Sequence, residues 1–300
     1  MSPRSNHVVK SNKLIEASYR LNLLEQRIIL YAIVQARESN TGLHPNFPCT
    51  FRIADFAKQF NINQGSLYAD VKEALNDLFK RQVTTYGIHE ESGKPSVTHF
   101  RWLSSYTYSD QAGHLAFSFT SEVVPYITRL EENFTRYDLD QIAPLKSAYA
   151  VRFYELLKQN QAIGNRTIEV DWLRKHLDIE NSYADFHELT RVVIDPALKQ
   201  INANTDLKIT YTKARTKGRA VDTLHFVIKT VTPKQPKQGR FNLPITKPNP
   251  GESKEAYEIR KRNLMDKPAK AKATPEPLEQ SKPAPMPEAT KALFNKMLGK

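Results

Sequence analysis

Residues 182–229 read SYADFHELTRVVIDPALKQINANTDLKITYTKARTKGRAVDTLHFVIK. Phe186, Leu189, Val193 and Ile201 recur at helical spacing in the first half, which predicts an amphipathic helix over residues 183–202. Ser182 and Asp185 stand in capping-box positions at its start. A short turn follows, then two strands of alternating pattern. Their connecting tip holds Lys213, Arg215, Lys217 and Arg219 around Gly218. Four like charges so close together repel one another and contribute nothing to folding. A phosphate partner accounts for them better than a solvated loop does. A long helix followed by a basic hairpin is the order of a winged helix-turn-helix, with one helix for the major groove and a hairpin along the backbone.

On the helix, the face opposite the apolar stripe offers His187, Thr190, Arg191, Asp195 and Lys199. Arg191 can donate two hydrogen bonds to a guanine edge, and His187 or Thr190 can reach a neighbouring base or phosphate. The alternative is an ordinary solvated face. Pro196 removes a backbone donor and predicts a kink.

Working outward, the same order of elements recurs earlier in the chain. FRIADFAKQFN (51–61) and IEVDWLRKHLD (168–178) both run from apolar strand positions into a short helix. In the earlier copy, residues 66–80 form a longer predicted helix with Leu67, Val71, Ala74, Leu75 and Leu78 on one face. Ser66, Lys72, Asn76 and Lys80 occupy the other, where side chains can meet phosphates or base edges. Strands are expected at 83–89 and 97–108, a hairpin whose tip mixes Glu90 and Glu91 with Lys94 and so makes a poor phosphate clamp. The expected fold class is therefore α+β, with two tandem winged-helix domains at 21–130 and 135–231. Residues 1–20 read as a polar, basic arm. Eleven of the eighteen prolines lie beyond residue 231 among many lysines, so 232–300 is expected to be a disordered basic tail.

In the first domain, Asn22 and Glu25 form a capping-box pattern ahead of a nearly continuous apolar run, residues 28–34. A helix apolar on almost every side is buried, so this one is the expected spine. Leu14, Leu21 and Ile28 fall seven apart, but the spacing is too short for a coiled coil and reads as core.

The 300 residues carry a formal charge of +12, which favours a polyanionic partner, nucleic acid ahead of membrane. The single Cys49 excludes an intrachain disulfide and a CxxC zinc site. No apolar run approaches a membrane span and no secretory signal opens the chain, so cytoplasmic residence is expected. No two of the eight histidines stand two apart, as a metal-dependent nicking centre would require, and no GxxxxGK[ST] loop occurs. Neither catalysis, nor a metal, nor a cofactor is expected.

VVIDPALKQINANTDLKITYTKARTKGRAVDTLHFVIK (192–229) resembles the second winged helix of bacterial plasmid replication initiators, the Rep family that binds directly repeated iterons. LNLLEQRIILYAIVQAR (21–37) and SLYADVKEALNDLF (66–79) resemble parts of the first. The resemblance implies two winged helices on double-stranded DNA, with most sequence-specific affinity in the second. It implies monomers that bind origin iterons and dimers that bind an inverted repeat at their own promoter. Chaperones would convert dimer to monomer, and the host initiator and replicative helicase would be recruited. By position, Arg191 and its neighbours become base readers, Lys213, Arg215, Lys217 and Arg219 phosphate contacts, and Lys72, Asn76 and Lys80 their first-domain counterparts. A transcriptional repressor with tandem winged helices and a rolling-circle nicking enzyme are the rival readings.

Overall fold

The computed structural model describes residues 6–39, 41–44, 47–63, 65, 67–89, 91–109, 113–128 and 133–231. The first lobe is built on helix α2 (Leu23–Ser39), preceded by strand β1 (His7–Ser11) and a single turn, α1 (Asn12–Ile15). The capping box at its start is reciprocal. Asn22 N–H donates to Glu25 Oε2 at 2.6 Å, and Glu25 N–H donates to Asn22 Oδ1 at 2.8 Å. Residues 28–34 are all buried, so the helix is a spine around which the other elements pack.

Strand β2 (Cys49–Arg52) leads into α3 (Ile53–Phe60), a turn, and α4 (Leu67–Lys80), which buries Leu67, Val71, Ala74, Leu75 and Leu78 as expected. Strands β3 (Gln82–Ile88), β4 (Pro95–Arg101), β5 (Leu103–Ser109) and β6 (His114–Phe119) follow, then α5 (Val124–Thr128) and β7 (Phe134–Asp138). The second lobe repeats the plan: α6 (Ala148–Lys158), β8 (Asn165–Glu169), α7 (Val170–His176), a helix running from Phe186 to Asn204, and the hairpin β9 (Leu207–Ala214) and β10 (Thr223–Thr230). The two lobes pack into one unit.

The duplication holds at single residues. The short helices α3 and α7 are followed by Asn61 (φ 50°) and Asp178 (φ 54°), the last residues of the two aligned stretches. Both are left-handed, a conformation that short polar side chains tolerate. The sheets correspond as well. In the second lobe β10 lies between β8 and β9; in the first, β6 lies between β2 and β5, all antiparallel.

That correspondence corrects the reading of the first wing. The strand expected over 97–108 breaks at Trp102, which is fully buried. Residues before it pair with β3 and residues after it with β6. The counterpart of β9–β10 is therefore β5–β6, and β3–β4 is an additional hairpin in its own two-stranded sheet.

The N-terminal arm needs correction too. From His7 onward it enters the fold: β1 pairs antiparallel with β7, and Val8, Val9 and Lys10 are buried. A lysine in a polar, basic terminal stretch reads as solvated, yet Lys10 is satisfied by a carboxylate 145 positions away. The following residues tie the lobes together. Ser18 Oγ donates to Lys175 O at 2.5 Å, Arg152 Nη2 donates to Ala17 O at 2.8 Å, and Arg166 pairs with Glu16 at 2.8 Å. The tail expected over 232–300 lies outside the described residues.

Candidate nucleic-acid interface

The helix of the second lobe comprises α8 (Phe186–Leu189), one π turn (Thr190–Ile194) and α9 (Asp195–Asn204). Within the π turn Asp195 N–H reaches back five residues to Thr190 O. Pro196 lacks an N–H, and its ring clashes with the carbonyl four residues earlier in a regular helix. One widened turn just ahead of it absorbs that conflict. The expected capping box differs as well: Asp185 is the N-cap but makes no side-chain cap bond, and Ser182 N–H bonds Ile179 O. Arg174 instead holds the turn, donating to Ser182 O (2.9 Å) and Ala184 O (3.1 Å).

His187, Arg191 and Lys199 are exposed, as a groove-facing side requires. Thr190 is not. Ile194, Ala197 and Leu198 join the buried stripe, and Thr190, one turn before Ile194, falls on its midline at 6% exposure. Its hydroxyl is satisfied internally, donating to Phe186 O at 2.9 Å. Thr190 is therefore removed from the base-reading candidates. Asp195 is engaged by Tyr211, whose hydroxyl donates to Oδ1 at 2.8 Å and ties β9 to the helix.

The same packing brings the wing beside the helix. Lys213 Nζ lies 5.1 Å from the centre of the Phe186 ring, at the first turn of α8. Lys213, Arg215, Lys217 and Arg219 are all exposed. Lys217 Nζ sits 2.9 Å from Glu169 Oε2, a hydrogen bond and ion pair that raise its pKa. Such exposed pairs are weak, so a phosphate can replace the glutamate. The sequence reading gave no weight to Asp222, whose carboxylate accepts from Thr216 N–H, Lys217 N–H and the hydroxyls of Thr216 and Thr223. The signal was one acid after a run of cations.

In the first lobe, Lys72 Nζ stands 4.1 Å from the centre of the Tyr108 ring, and Tyr106 Oη donates to Asn76 Oδ1 at 3.4 Å. The face of α4 expected to be open is thus partly covered by β5. Lys80 is exposed and lies 3.8 Å from Asp77. Ser66 and Glu90 fall outside the described residues. Among the described residues, no helix is long and apolar enough to cross a membrane, and no three His, Cys, Asp or Glu side chains gather as metal ligands.

Comparison with known proteins agrees with this architecture. The family model for the Initiator Replication protein, WH1, matches residues 7–158, and that for the Initiator Rep protein, WH2, matches 169–228. The chain is 26% identical over 231 residues to a replication initiation protein of Escherichia coli, covering 74% of this chain and 69% of that protein. It is 29% identical over 213 residues to an uncharacterized 27.6 kDa protein of Escherichia coli, covering 68% and 88% respectively. The crystal structure of Pi initiator protein in complex with iteron DNA superposes with a TM-score of 0.63 at 22% identity, covering 77% of this chain and 99% of that chain, and so shares its fold. With both winged-helix matches in chain order and over half the sequence in the first alone, the chain belongs to the initiator replication protein family.

Proposed function

We propose that this protein binds directly repeated iterons in double-stranded DNA at a plasmid origin and initiates replication there, as a DNA-binding rather than a catalytic protein. The supporting observation is the second lobe, where exposed His187, Arg191 and Lys199 lie on a helix packed beside an exposed basic wing. A helix of this kind entering the major groove reads base edges while the wing cations meet phosphates. The first lobe repeats the plan, so two helices in successive grooves would cover on the order of 20 bp. The family resemblance extends the proposal further. Monomers would bind iterons, while dimers in equilibrium with them would repress the protein's own gene at an inverted repeat. Chaperones would shift that balance, and bound monomers would recruit the host initiator and replicative helicase. All of this would take place in the bacterial cytoplasm.

Footprinting on the DNA adjoining the gene tests the proposal. Protection of several direct repeats near an origin is the expected result. Protection of a lone palindrome at a promoter would instead indicate a repressor. A covalent tyrosine–DNA adduct, formed with supercoiled plasmid and a divalent metal, would indicate a nicking enzyme.

A further inference from the structure

The wing tip contains a residue that charge alone would exclude. Asp222 follows Lys213, Arg215, Lys217 and Arg219 in the loop assigned to the phosphate backbone. A carboxylate facing a polyanion is repelled, so its presence there needs another cause. The geometry supplies one. Asp222 Oδ2 accepts from Thr216 N–H at 2.9 Å and from Lys217 N–H at 2.6 Å. Oδ1 accepts from Thr216 Oγ1 at 2.8 Å and Thr223 Oγ1 at 2.7 Å, and from Thr216 N–H at 3.1 Å. The carboxylate thus closes a ring across the base of the loop.

The backbone of Asp222 is fixed on both sides. Its N–H donates to Ala214 O at 3.2 Å, and its carbonyl accepts from Val170 N–H, the first residue of α7, at 2.9 Å. The turn at 216–217 is therefore referenced to the end of β9 and to the helix-turn-helix. The hydrogen bonds from Thr223, Thr216 and Lys217 hold the Asp222 carboxyl well below the usual carboxylate range.

We infer that Asp222 is the positioning residue of the wing: its carboxylate orders the 216–217 turn before DNA arrives, so that Arg215, Lys217 and Arg219 meet the phosphates without first losing loop entropy. The inference rests on the reading of this wing as a DNA contact. It makes a prediction opposite in sign to electrostatics. Removing a negative charge from a DNA-facing loop should tighten binding if charge alone matters. Removing the residue that orders the loop should weaken it.

The experiment uses the full chain with Asp222→Ala and Asp222→Asn, which remove the same charge. The asparagine keeps one acceptor oxygen but sets an amide donor near the backbone N–H groups. Duplex binding by anisotropy is expected to weaken about tenfold in Asp222→Ala and by less in Asp222→Asn, for repeat and random sequences alike. Amide exchange of the free protein, which needs no DNA, is expected to quicken at Thr216 and Lys217 by about tenfold or more, with α2 and α6 unchanged. Binding as tight as wild type or tighter in both variants, or unchanged exchange at those two amides, would overturn the role of Asp222. A wild-type chain that binds no duplex would overturn the DNA reading itself, and the proposal with it.

Discussion

Lys10 and Glu155 form an ion pair 2.9 Å long, with both side chains only 2% exposed, between the N-terminal strand and α6. Tyr137 donates to the same carboxylate at 2.5 Å, and the Tyr19 hydroxyl lies 3.3 Å from the ammonium. Burial, the largest influence, pushes the Lys10 pKa down, but Glu155 and Tyr19 together push it up, and the net direction is upward. The pair joins the two lobes: β1 and β7, paired side by side, are both tied to Glu155 on α6.

Breaking one member should leave the other charge buried without a partner. Glu155→Gln is expected to destabilise the protein by roughly 3–5 kcal/mol in urea unfolding, and Lys10→Met by a similar amount. Replacing both with apolar residues should cost less than the sum of the two, since no lone charge remains. Additive losses would mean that the pair is not the unit of stability described here.

His176 gives a pH signature. It is 2% exposed, stacked on Trp172 at 4.8 Å. Nδ1 sits 3.2 Å from Glu16 O and Nε2 3.1 Å from Arg152 Nη2. The carbonyl needs a donor and the guanidinium an acceptor, so the ring is neutral with its proton on Nδ1. Burial, and then the adjacent Arg152, push its pKa well below the ordinary 6.5. In the acid range the unfolded chain takes up a proton that the folded one refuses, so stability is full above that value and falls below it. Between about pH 7 and pH 5.5 the wild type should lose stability at up to ~1.4 kcal/mol per unit more than His176→Gln. Parallel pH profiles for the two proteins would contradict the neutral assignment.

Two neighbours on the helix proposed to enter the major groove should separate cleanly. Arg191→Ala, an exposed position, is expected to weaken specific binding by about 1–3 kcal/mol and relax preference at one base pair. Thr190→Val removes a hydroxyl already used by Phe186 O, and should leave base preference unchanged while lowering stability by about 1 kcal/mol. Binding selections on randomised repeats read both. A Thr190→Val variant with altered base preference would return that side chain to the interface.

Neutralising Lys213, Arg215, Lys217 and Arg219 together should weaken binding to every duplex and flatten the dependence of affinity on salt. The log–log slope should fall by about 0.9 for each phosphate that is no longer neutralised. Lys217 alone should contribute least, because its exchange from Glu169 to phosphate replaces one ion pair with another. An unchanged slope in the fourfold variant would remove the wing from the interface.

Much of this was legible in the residues, for identifiable reasons. The Asn22–Glu25 cap and the apolar spine are local patterns with local causes, and so are the two short helices α3 and α7, followed by left-handed Asn61 and Asp178. The basic tip announced itself because clustered like charge has no folding rationale. What stayed hidden was long-range. Nothing near Lys10 indicates that Glu155 will cover it, and nothing in residues 97–108 marks Trp102 as the point where the chain changes sheets. Thr190 was misplaced because the count of apolar positions omitted Ile194, Ala197 and Leu198, which move the buried stripe onto it.

The central claim is specific recognition of duplex DNA, and competition binding addresses it most directly. The full chain is titrated onto a labelled duplex carrying the protected repeats, at fixed salt, against the same duplex with its sequence scrambled. A preference of at least about a thousandfold for the repeats is the predicted result. Equal affinity for the two duplexes would contradict it, leaving a basic protein that binds DNA by charge alone.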